Sequence, residues 1–584
     1  MKAKLLTAVL AGAVFVSGCA TVPTQGPIRS GNQEGLAPPA PAIGVEAQPP
    51  RDNAGPLAIV NGFLEAMADS QAFETARKYM TPEAAAAWKP ESKISIYDQT
   101  STGAVTPRGE DKVVLRAPLV GTVDQRGSWS PARNATVAFE FKLTKVNGQY
   151  RVAVAPPGVF IGSNQLETKL KPMALFYFTP DRSMLVPDPI YVPNDLPSGQ
   201  IATLLIQQLL KGPTARLGNG VFSAAPPGTQ VNVSVPVDLG VATVALSDTV
   251  ATLTEADRTL LSAQIAWTLR LISSRVRITV GGAPLIADQE VQSFTSFSQY
   301  DPTVPIPQMK DLYGVRGNKI YRISLDGSGP IEPKPLDDSQ LYPYSAQSLA
   351  VDLRGDFGAV VTRDNGRPVV AYGRLEIKED NDKVVTIPTD GEVLRPTFDN
   401  AGNLWILDRA DSNAPRLRMR AKDGKVIEVR TDFKGSRPTV LRMAPDGVRA
   451  LLVLEKKTGE TIVQTGAVTT NEAKQPVLSQ LRSLELSLLD ITDVSWAQAG
   501  ILVTGKQAAD SPRQPWQVNA DGSQPRQIPG ATNFEAVTVV SNSNVDTLPV
   551  VKDNQGHLHW LNKDLGWGDL GDDPGPAVDP VYPG

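Results

Sequence analysis

The sequence predicts a multidomain protein in which two α+β domains are followed by an all-β propeller of five or six blades. Three observations lead to this prediction. The chain has 584 residues, which is too long for one hydrophobic core. Helically spaced apolar residues and strand-like runs fill the first half, and one strand–turn–strand pattern recurs in the second. We therefore expect α+β domains at residues 54–165 and 170–300 and a propeller at residues 311–584.

The N-terminal segment has the form of a secretion signal that ends at Cys19, the only cysteine in the chain. Lys2 and Lys4 precede an uncharged apolar stretch, Leu5–Val16, which is too short to span a bilayer. Small residues then lead directly to Cys19. This pattern resembles the bacterial lipobox, which implies that the thiol of Cys19 accepts a diacylglyceryl group and becomes the acylated N-terminus after cleavage. The alternative is an incidental thiol in a short hydrophobic helix.

Residues 1–18 are therefore expected to be a lipoprotein signal peptide, and residues 19–53 a lipidated cysteine followed by a tether. The tether contains seven prolines and cannot build a core. Two or more acyl chains, palmitate among them, would attach the protein stably at about 0.8 kcal/mol per buried CH₂. No later stretch has 18 uncharged apolar residues. We expect a lipid-anchored protein on the extracytoplasmic face of the cell membrane.

The first domain is predicted to place three helices before an antiparallel sheet. The first helix is predicted from the helical spacing of Leu57, Val60, Leu64 and Met67. A second helix continues this pattern with Phe73, Ala76 and Met80. A third helix is predicted to begin at Thr81-Pro82-Glu83 and to run through Trp88. The predicted strands are Ile94–Tyr97, Val113–Val123, Thr136–Leu143 and Tyr150–Val154. The layout resembles the NTF2-like fold, whose conical sheet can enclose a small ligand. The alternative is an interior filled by apolar side chains.

The second domain alternates strands and helices. Strands are predicted at Met173–Phe178, Met184–Val192, Val231–Val235, Ala242–Leu246 and Val276–Val280, with helices capped by Ser198 and Thr254. This order of strands and helices resembles the GerMN domain of sporulation and germination proteins. Two motifs contribute to the resemblance, Leu210-Lys211-Gly212-Pro213 and Ala225-Pro226-Pro227-Gly228-Thr229. The alternative is that these glycines and prolines only stop a helix and start a strand.

A repeat of two strands around a turn predicts the propeller. It occurs at Ser348–Thr362, Leu394–Arg409, Val440–Glu455 and Ile491–Gly505. A second marker, Asp-Gly, recurs at 326–327, 423–424 and 521–522 and is typical of hairpin turns. Four-strand units of this length are typical of propeller blades, which form rigid scaffolds whose loops bind partners.

Composition and motifs argue against several classes of function. The net charge is −4, with 57 Lys and Arg against 61 Asp and Glu, which does not suit a nucleic-acid partner. No serine-hydrolase, zinc-protease or phosphate-loop motif is present, and we expect no catalytic residue. A carboxylate pair of a glycan hydrolase stays open, because the 61 acids are scattered along the chain.

Two patterns were candidates for a binding site. His557 and His559 share one face of a predicted strand, but no cysteine or third histidine completes a zinc set, so we expect no metal or cofactor. Arg416, Arg418 and Arg420 alternate with apolar residues and continue to Lys422. This basic face could bind an anionic cell-wall polymer or a lipid headgroup. The alternative is the solvated edge of an outer blade strand.

The combined signal, tether and three domains resemble the LpqB lipoprotein family of actinobacteria over the whole chain. The resemblance implies a non-enzymatic accessory or scaffold of the MtrA–MtrB two-component system in envelope homeostasis and cell division. Its partner would be the extracellular region of the MtrB sensor kinase, with cell-wall contact left open. Only Cys19 carries a role over from the family, as the lipidated residue. The alternatives are a cell-wall glycan-acting enzyme and a small-ligand-binding lipoprotein.

The anchoring prediction is tested by Cys19→Ala. This variant should leave the membrane fraction while its folded domains keep their circular dichroism spectrum, because the thiol is the only predicted acceptor of the lipid. Fractionation of cells followed by a carbonate wash measures the attachment. Retention of the variant in washed membranes would contradict lipid anchoring at Cys19.

Overall fold

The protein is described by a computed structural model that covers most of the chain after residue 46. The residues described are 47–303, 311–323, 333–376, 383–498, 500–530, 534–544, 547–561, 566–569 and 579–584. Cys19, the signal segment and the Asp326-Gly327 turn lie outside them.

The first domain packs three helices against a curved, mainly antiparallel sheet. The helices are α1 (Pro56–Met67), α2 (Phe73–Lys78) and α3 (Pro82–Ala87). The strands are β1 (Lys93–Tyr97), β2 (Val105–Pro107), β3 (Lys112–Asp124), β4 (Trp129–Pro131), β5 (Thr136–Val146), β6 (Gln149–Val152) and β7 (Val159–Gly162). The order is β6-β5-β3-β1-β7, with β2 and β4 also paired to β3. The sequence pattern does not predict β2, β4 and β7, because each has only three or four residues.

The helix predictions in this domain hold with two exceptions, Met80 and Leu57. Met80 lies beyond the end of α2 and forms an isolated bridge with Val152. Thr81 caps α3 as expected, since its hydroxyl accepts a hydrogen bond from the backbone N–H of Ala84. Val60 and Met67 of α1 are buried, whereas Leu57 is 37% exposed. Leu57 lies in the first turn of α1, on an open surface groove that Pro107 of β2 and Tyr150 of β6 also line. Phe63, which the predicted pattern omits, is fully buried instead.

Aromatic rings fill the space between the helices and the sheet. The ring of Phe63 lies 5.7 Å from that of Trp88 and 6.1 Å from that of Phe141. Phe139 lies 4.8 Å from Phe141 and 5.8 Å from Phe160, in edge-on or tilted contacts. Such pairs add to the free energy of burial. The packing agrees with the filled interior that was one of the two alternatives for this domain.

The second domain follows a short helix, α4 (Leu166–Lys169). Its elements are β8 (Leu170–Phe178), β9 (Leu185–Pro193), α5 (Ser198–Leu210), β10 (Val237–Asp238), β11 (Val241–Leu246), α6 (Glu255–Leu269), β12 (Arg275–Val280), β13 (Ala283–Pro284) and β14 (Gln292–Ser293). The hairpin β8–β9 forms one sheet, and β10-β11-β12-β13 forms another, with β14 paired to β12. Strands β11 and β12 are parallel and are connected through α6, and both helices share one hydrophobic core with the strands.

Two local predictions in this domain are wrong. Ser198 does not cap α5: Pro197 occupies the N-cap position, and no side chain caps the helix. The segment Val231–Val235 is not a strand, although Val231 forms an isolated bridge with Leu246. The backbone N–H of Val235 donates to the hydroxyl of Thr203 at 2.8 Å instead of to a neighbouring strand. A side-chain acceptor and the following proline interrupt the ladder.

The third domain consists of four-stranded units. The first contains β15 (Leu312–Arg316), β16 (Lys319–Ile323), β17 (Lys334–Pro335) and the last strand, β38 (Asp579–Val581). The second contains β18 (Ser348–Val351), β19 (Phe357–Asp364), β20 (Arg367–Arg374) and β21 (Val385–Pro388). The third contains β22 (Thr397–Phe398), β23 (Leu404–Asp408), β24 (Arg416–Arg420) and β25 (Val426–Thr431).

The remaining units continue this arrangement. The fourth contains β26 (Arg437–Met443), β27 (Arg449–Glu455), β28 (Thr461–Thr470) and β29 (Pro476–Ser483). The fifth contains β30 (Leu489–Ala497), β31 (Gly500–Lys506), β32 (Gln514–Val518) and β33 (Arg526–Gln527). The sixth contains β34 (Ala536–Val540), β35 (Val550–Asp553), β36 (Leu558–Leu561) and β37 (Trp567–Asp569). A parallel pairing of β25 with β29 merges the third and fourth units into one eight-stranded sheet. The blade number of five or six stays a prediction.

All four predicted strand–turn–strand repeats are antiparallel hairpins, namely β18–β19, β22–β23, β26–β27 and β30–β31. Of the Asp-Gly markers, Gly424 and Gly522 both have φ of +89°, which explains why glycine stands there. The first strand of each repeat is the innermost strand of its unit. The innermost strands of successive units are neighbours around the ring. In the last unit the innermost strand is β34, and in the first unit it is β38.

The last strand closes the propeller onto its first unit. β38 pairs antiparallel with β15, so that Val581 lies opposite Tyr313. Val581 is 5% exposed and belongs to a hydrophobic cluster shared by the first two units. Tyr582 is also buried, and its hydroxyl donates to the carbonyl of Leu548 at 3.0 Å. The two ends of the domain are thus held together by pairing and by packing.

Val581→Asp is expected to weaken this closure. The free energy of unfolding should fall by about 3 kcal/mol or more, because a carboxylate at this position would be buried without a partner. Val426→Asp on β25 is a matched control, since Val426 is 42% exposed. Guanidinium unfolding followed by tryptophan fluorescence compares the two variants, and an equal cost for both would contradict a closing role for β38.

Candidate functional site

Tyr191, on β9, lies where the three folded domains meet. Its backbone N–H donates to the carbonyl of Gly127 at 2.7 Å, and its ring lies 6.1 Å from that of Trp129, both in the first domain. Its hydroxyl shares a 2.6 Å hydrogen bond with the hydroxyl of Ser523 in the propeller. Burial raises the pKa of Tyr191 to about 12, so the phenol stays neutral. One side chain therefore contacts both neighbouring domains.

Arg216 is a second buried link at the same junction. Its Nη2 donates to the carbonyl of Trp129 at 2.7 Å. Burial lowers the pKa of the Arg216 guanidinium, whereas the carboxylates of Asp521 and Asp188 raise it. Its Nε has no hydrogen-bond partner among the described residues. The charge of Arg216, in the second domain, thus interacts with the backbone carbonyl of Trp129 in the first domain and with Asp521 in the propeller.

The sequence Leu-Lys-Gly-Pro, followed by Thr214, builds the part of the second domain that holds Arg216. Gly212 ends α5 with φ of +85°. The backbone N–H and the hydroxyl of Thr214 both donate to the carboxylate of Asp188 at 2.7 Å. Asp188 is fully buried, and this burial raises the pKa of its carboxyl group. The motif therefore ends the helix and anchors the following turn to β9.

Arg126 of the first domain binds the same helix end. Its Nε donates to Oε1 of Gln208 at 2.9 Å, and its Nη2 donates to the carbonyl of Gly212 at 2.6 Å. Gln208 in turn donates to the carbonyl of Gln125 at 3.1 Å. A cation at the C-terminus of a helix is favourable, because the last carbonyls lack intrahelical partners. The motif glycine thus supplies a carbonyl that joins two domains.

The second motif, Ala225 to Thr229, forms a local turn. The hydroxyl of Thr229 donates to the carbonyl of Pro226 at 2.8 Å, and Gly228 has φ of +85°. These contacts are within the motif itself. They agree with the structural alternative for the motif, a turn that leads into the next segment.

The two histidines share one acid and do not form a metal site with it. Nε2 of His559 lies 2.8 Å from Oδ2 of Asp553, and Nδ1 of His557 lies 3.4 Å from the same oxygen. The ring of His559 stacks on Phe534 at 3.9 Å. Burial by itself would raise the pKa of Asp553, but hydrogen bonds from His559 and two backbone N–H groups lower it overall. Among the described residues no group of three or more His, Cys, Asp or Glu could hold a metal ion.

The predicted basic face is largely neutralised. Arg416 and Arg418 both donate to the buried carboxylate of Asp408, at 2.6 and 3.0 Å. Arg420 is 8% exposed and lies over the ring of Tyr372 at 4.1 Å. The strand, β24, pairs on both sides and is not an edge strand. Both interpretations of the pattern, an anion-binding face and a solvated edge, are therefore wrong for these arginines.

Sequence reasoning missed the junction residues. Tyr191, Arg216 and Ser523 lie in three unrelated stretches, and no spacing connects them. The one usable signal is the motif glycine at 212, which marks a helix end but not its partner in another domain. Cys19, the predicted lipidation site, lies outside the described residues, so its role stays a prediction. No helix in the described part of the chain is long and apolar enough to cross a membrane.

Three known families match successive parts of this chain. Residues 49–167 match the family described as "Lipoprotein LpqB, N-terminal domain". Residues 174–286 match "Sporulation and spore germination", the family of the GerMN domain. Residues 334–583 match "Lipoprotein LpqB beta-propeller domain". The order of the matches is the order of the three folded domains.

Similar proteins match over almost the whole chain. Lipoprotein LpqB of Cutibacterium acnes is 29% identical over 559 residues, which cover 92% of this chain and 91% of that protein. Lipoprotein LpqB of Streptomyces coelicolor is 28% identical over 636 residues, which cover 100% of this chain and 98% of that protein. Among solved structures, TolB from Acinetobacter baumannii aligns with 57% of this chain and 86% of its own chain, at 11% identity. The TM-score is 0.35, and no argument is based on this likeness.

The family matches and the full-length relatives agree with each other and with the order of the domains. The chain belongs to the LpqB lipoprotein family.

Proposed function

We propose that this protein is a lipid-anchored, extracytoplasmic accessory or scaffold, without enzymatic activity, for a sensor kinase. Following the family resemblance, the partner is the extracellular region of the MtrB kinase of the MtrA–MtrB system, and the process is envelope homeostasis and cell division. The observation that carries the proposal is the buried junction around Tyr191, which contacts all three folded domains. A chain joined in this way presents one composite surface to a partner.

Contacts at the periphery of the junction strengthen this interpretation. Arg133 of the first domain forms an ion pair with Glu460 of the propeller, and Arg526 of the propeller forms one with Glu167. The side-chain amide of Asn219 donates to the carbonyl of Thr470 at 3.1 Å. Exposed ion pairs contribute little free energy, so the buried contacts of Tyr191 and Arg216 dominate. The peripheral pairs mainly select one relative orientation.

The alternatives receive less support. A small-ligand carrier would need space inside the first domain, where the rings of Phe63, Phe139, Phe141 and Phe160 pack together. A glycan hydrolase with its carboxylates around the propeller channel would need two facing acids there. The described residues at the centre include Arg395, Arg442 and only one closely associated buried acid, Asp493.

Direct binding tests the proposed partner. The full chain, purified in a non-ionic detergent, should bind the soluble MtrB ectodomain in a saturable manner, measured by biolayer interferometry. The ectodomain of an unrelated sensor kinase is the control and should not bind. Absence of association at micromolar concentration would argue against MtrB as the partner.

The role of the junction is tested by Arg216→Met. We expect the variant to lose about 2 kcal/mol of stability, because the carbonyl of Trp129 loses a charge-assisted hydrogen bond. Hydrogen exchange should rise together at residues 124–131 and 519–524, and binding to the ectodomain should weaken. Arg275→Met is a matched control, since this exposed arginine also donates to a single backbone carbonyl, that of Leu239. Faster exchange in one domain alone would contradict a coupled junction.

A further inference from the structure

The centre of the propeller carries two arginines that reach across between innermost strands. Arg395 comes just before β22 and donates through Nη1 to the carbonyl of Pro580 on β38, at 2.9 Å. Arg442 lies on β26 and donates through Nη2 to Oδ1 of Asp493 on β30, at 3.0 Å. Oδ2 of Asp493 accepts from the backbone N–H of Val539 on β34, at 3.3 Å. One contact thus joins β38 to the residue before β22, and the other two join β26, β30 and β34.

The two guanidinium groups act on each other electrostatically. Burial, together with the positive charge of Arg395, lowers the pKa of Arg442 to about 9, against the opposing effect of Asp493. Burial likewise lowers the pKa of Arg395, which Asp493 and Asp579 partly offset. Both shifts mean that the charged forms are poorly compensated by their surroundings.

A count of charges leads to the same conclusion. Among the residues that the structure describes, Asp493 is the one acid bonded to either arginine. Asp579, the other acid that acts on Arg395, is half exposed and forms an ion pair with Lys552. Within the described residues, three cations therefore face two carboxylates, which leaves one positive charge in excess. Buried charges are normally paired, so this excess calls for an anion.

The hydrogen-bond donors of the two arginines are also mostly free. Each guanidinium has five N–H groups, ten in all. Among the described residues only three bonds use them: the two already given, and one from Nη1 of Arg442 to the carbonyl of Leu441 at 2.8 Å. Nε of Arg442 is buried without a partner. The side chain of Arg442 is nonetheless 14% exposed, so solvent reaches the group.

A second arginine pair in the same propeller has more acids bonded to it. Arg416 and Arg418 share the buried carboxylate of Asp408, and Arg416 also pairs with Asp390, which forms a further ion pair with Arg409. Among the described residues that pair therefore bonds two acids, whereas Arg395 and Arg442 together bond one.

We propose that Arg395 and Arg442 form a binding site for a small oxyanion, a carboxylate or a phosphate, at the centre of the propeller. Either group presents two or more oxygens that fit the planar fork of a guanidinium. Asp493 holds Arg442 in position and leaves the remaining donors of both arginines to the anion. The site would make the ring of innermost strands depend on the bound ion for part of its stability.

Thermal unfolding of the full chain in a non-ionic detergent tests the site, with inorganic phosphate and acetate as separate probes in an amine buffer. At about 100 times Kd the melting temperature of the propeller should rise by about 5 °C, in a saturable manner. A rise with phosphate alone, acetate alone or both identifies the chemistry of the anion. Sodium chloride at matched ionic strength corrects for screening.

Arg395→Gln should abolish this rise. The shorter glutamine side chain gives up the hydrogen bond to the carbonyl of Pro580, whereas removal of the charge relieves the repulsion on Arg442. Because the two effects oppose each other, the variant should be about as stable as the original protein without anion, and less stable than it with anion. Arg363→Gln is the matched control: Arg363 is exposed on β19 and also donates to one backbone carbonyl, that of Gly366. This control should keep the full response.

Arg442→Lys gives a second, milder test. Lysine keeps the positive charge beside Asp493 but loses the fork, so phosphate affinity measured by titration calorimetry should fall about tenfold or more. Two results would overturn the proposal. One is the absence of saturable stabilisation by either anion in the original protein. The other is an equal response in Arg395→Gln and Arg363→Gln.

Discussion

The burial of Tyr191 between two neighbouring domains is the contact on which the arrangement of the folded chain depends. Its phenol can bond Ser523 only while β9 lies against the propeller, and its ring can pack on Trp129 only while the first domain is in place. Desolvation keeps this phenol neutral, which suits a hydroxyl-to-hydroxyl bond inside a closed interface. Arg216 adds a charge that is stabilised by groups from all three domains.

The second domain provides the connection by means of ordinary helix-ending chemistry. Gly212 allows the chain to turn, and Thr214 fixes the turn to the buried carboxylate of Asp188. The half-buried carbonyl of Gly212 accepts a hydrogen bond from Arg126 of the first domain. The same few residues therefore end a helix, order a turn and join two domains. A sequence motif without catalytic chemistry can be functional in this sense, since it fixes the distance and angle between two surfaces.

Local patterns in the sequence predict the elements better than their contacts. The caps at Thr81 and Thr254 and the propeller hairpins follow from rules that involve neighbouring residues, and they are found where expected. Two of the errors arise where a group outside the local pattern intervenes: Thr203 takes the N–H of Val235, and Asp408 on the adjacent strand neutralises two arginines of the predicted basic face. The junction could not be predicted, because Tyr191, Arg216 and Ser523 have no common periodicity. The arginines at the propeller centre likewise come from separate repeats.

The pairing of β38 with β15 has a consequence for the timing of biosynthesis. One edge of the first propeller strand, Leu312–Arg316, pairs with β16, but the other edge finds its partner only when Asp579–Val581 has left the ribosome, more than 260 residues later. A contact of such separation closes slowly, and this edge of β15 stays unpaired until then. The first two domains can fold while this strand waits. The propeller ring is therefore completed after the first two domains, and a chain that lacks residues 579–584 loses this closure.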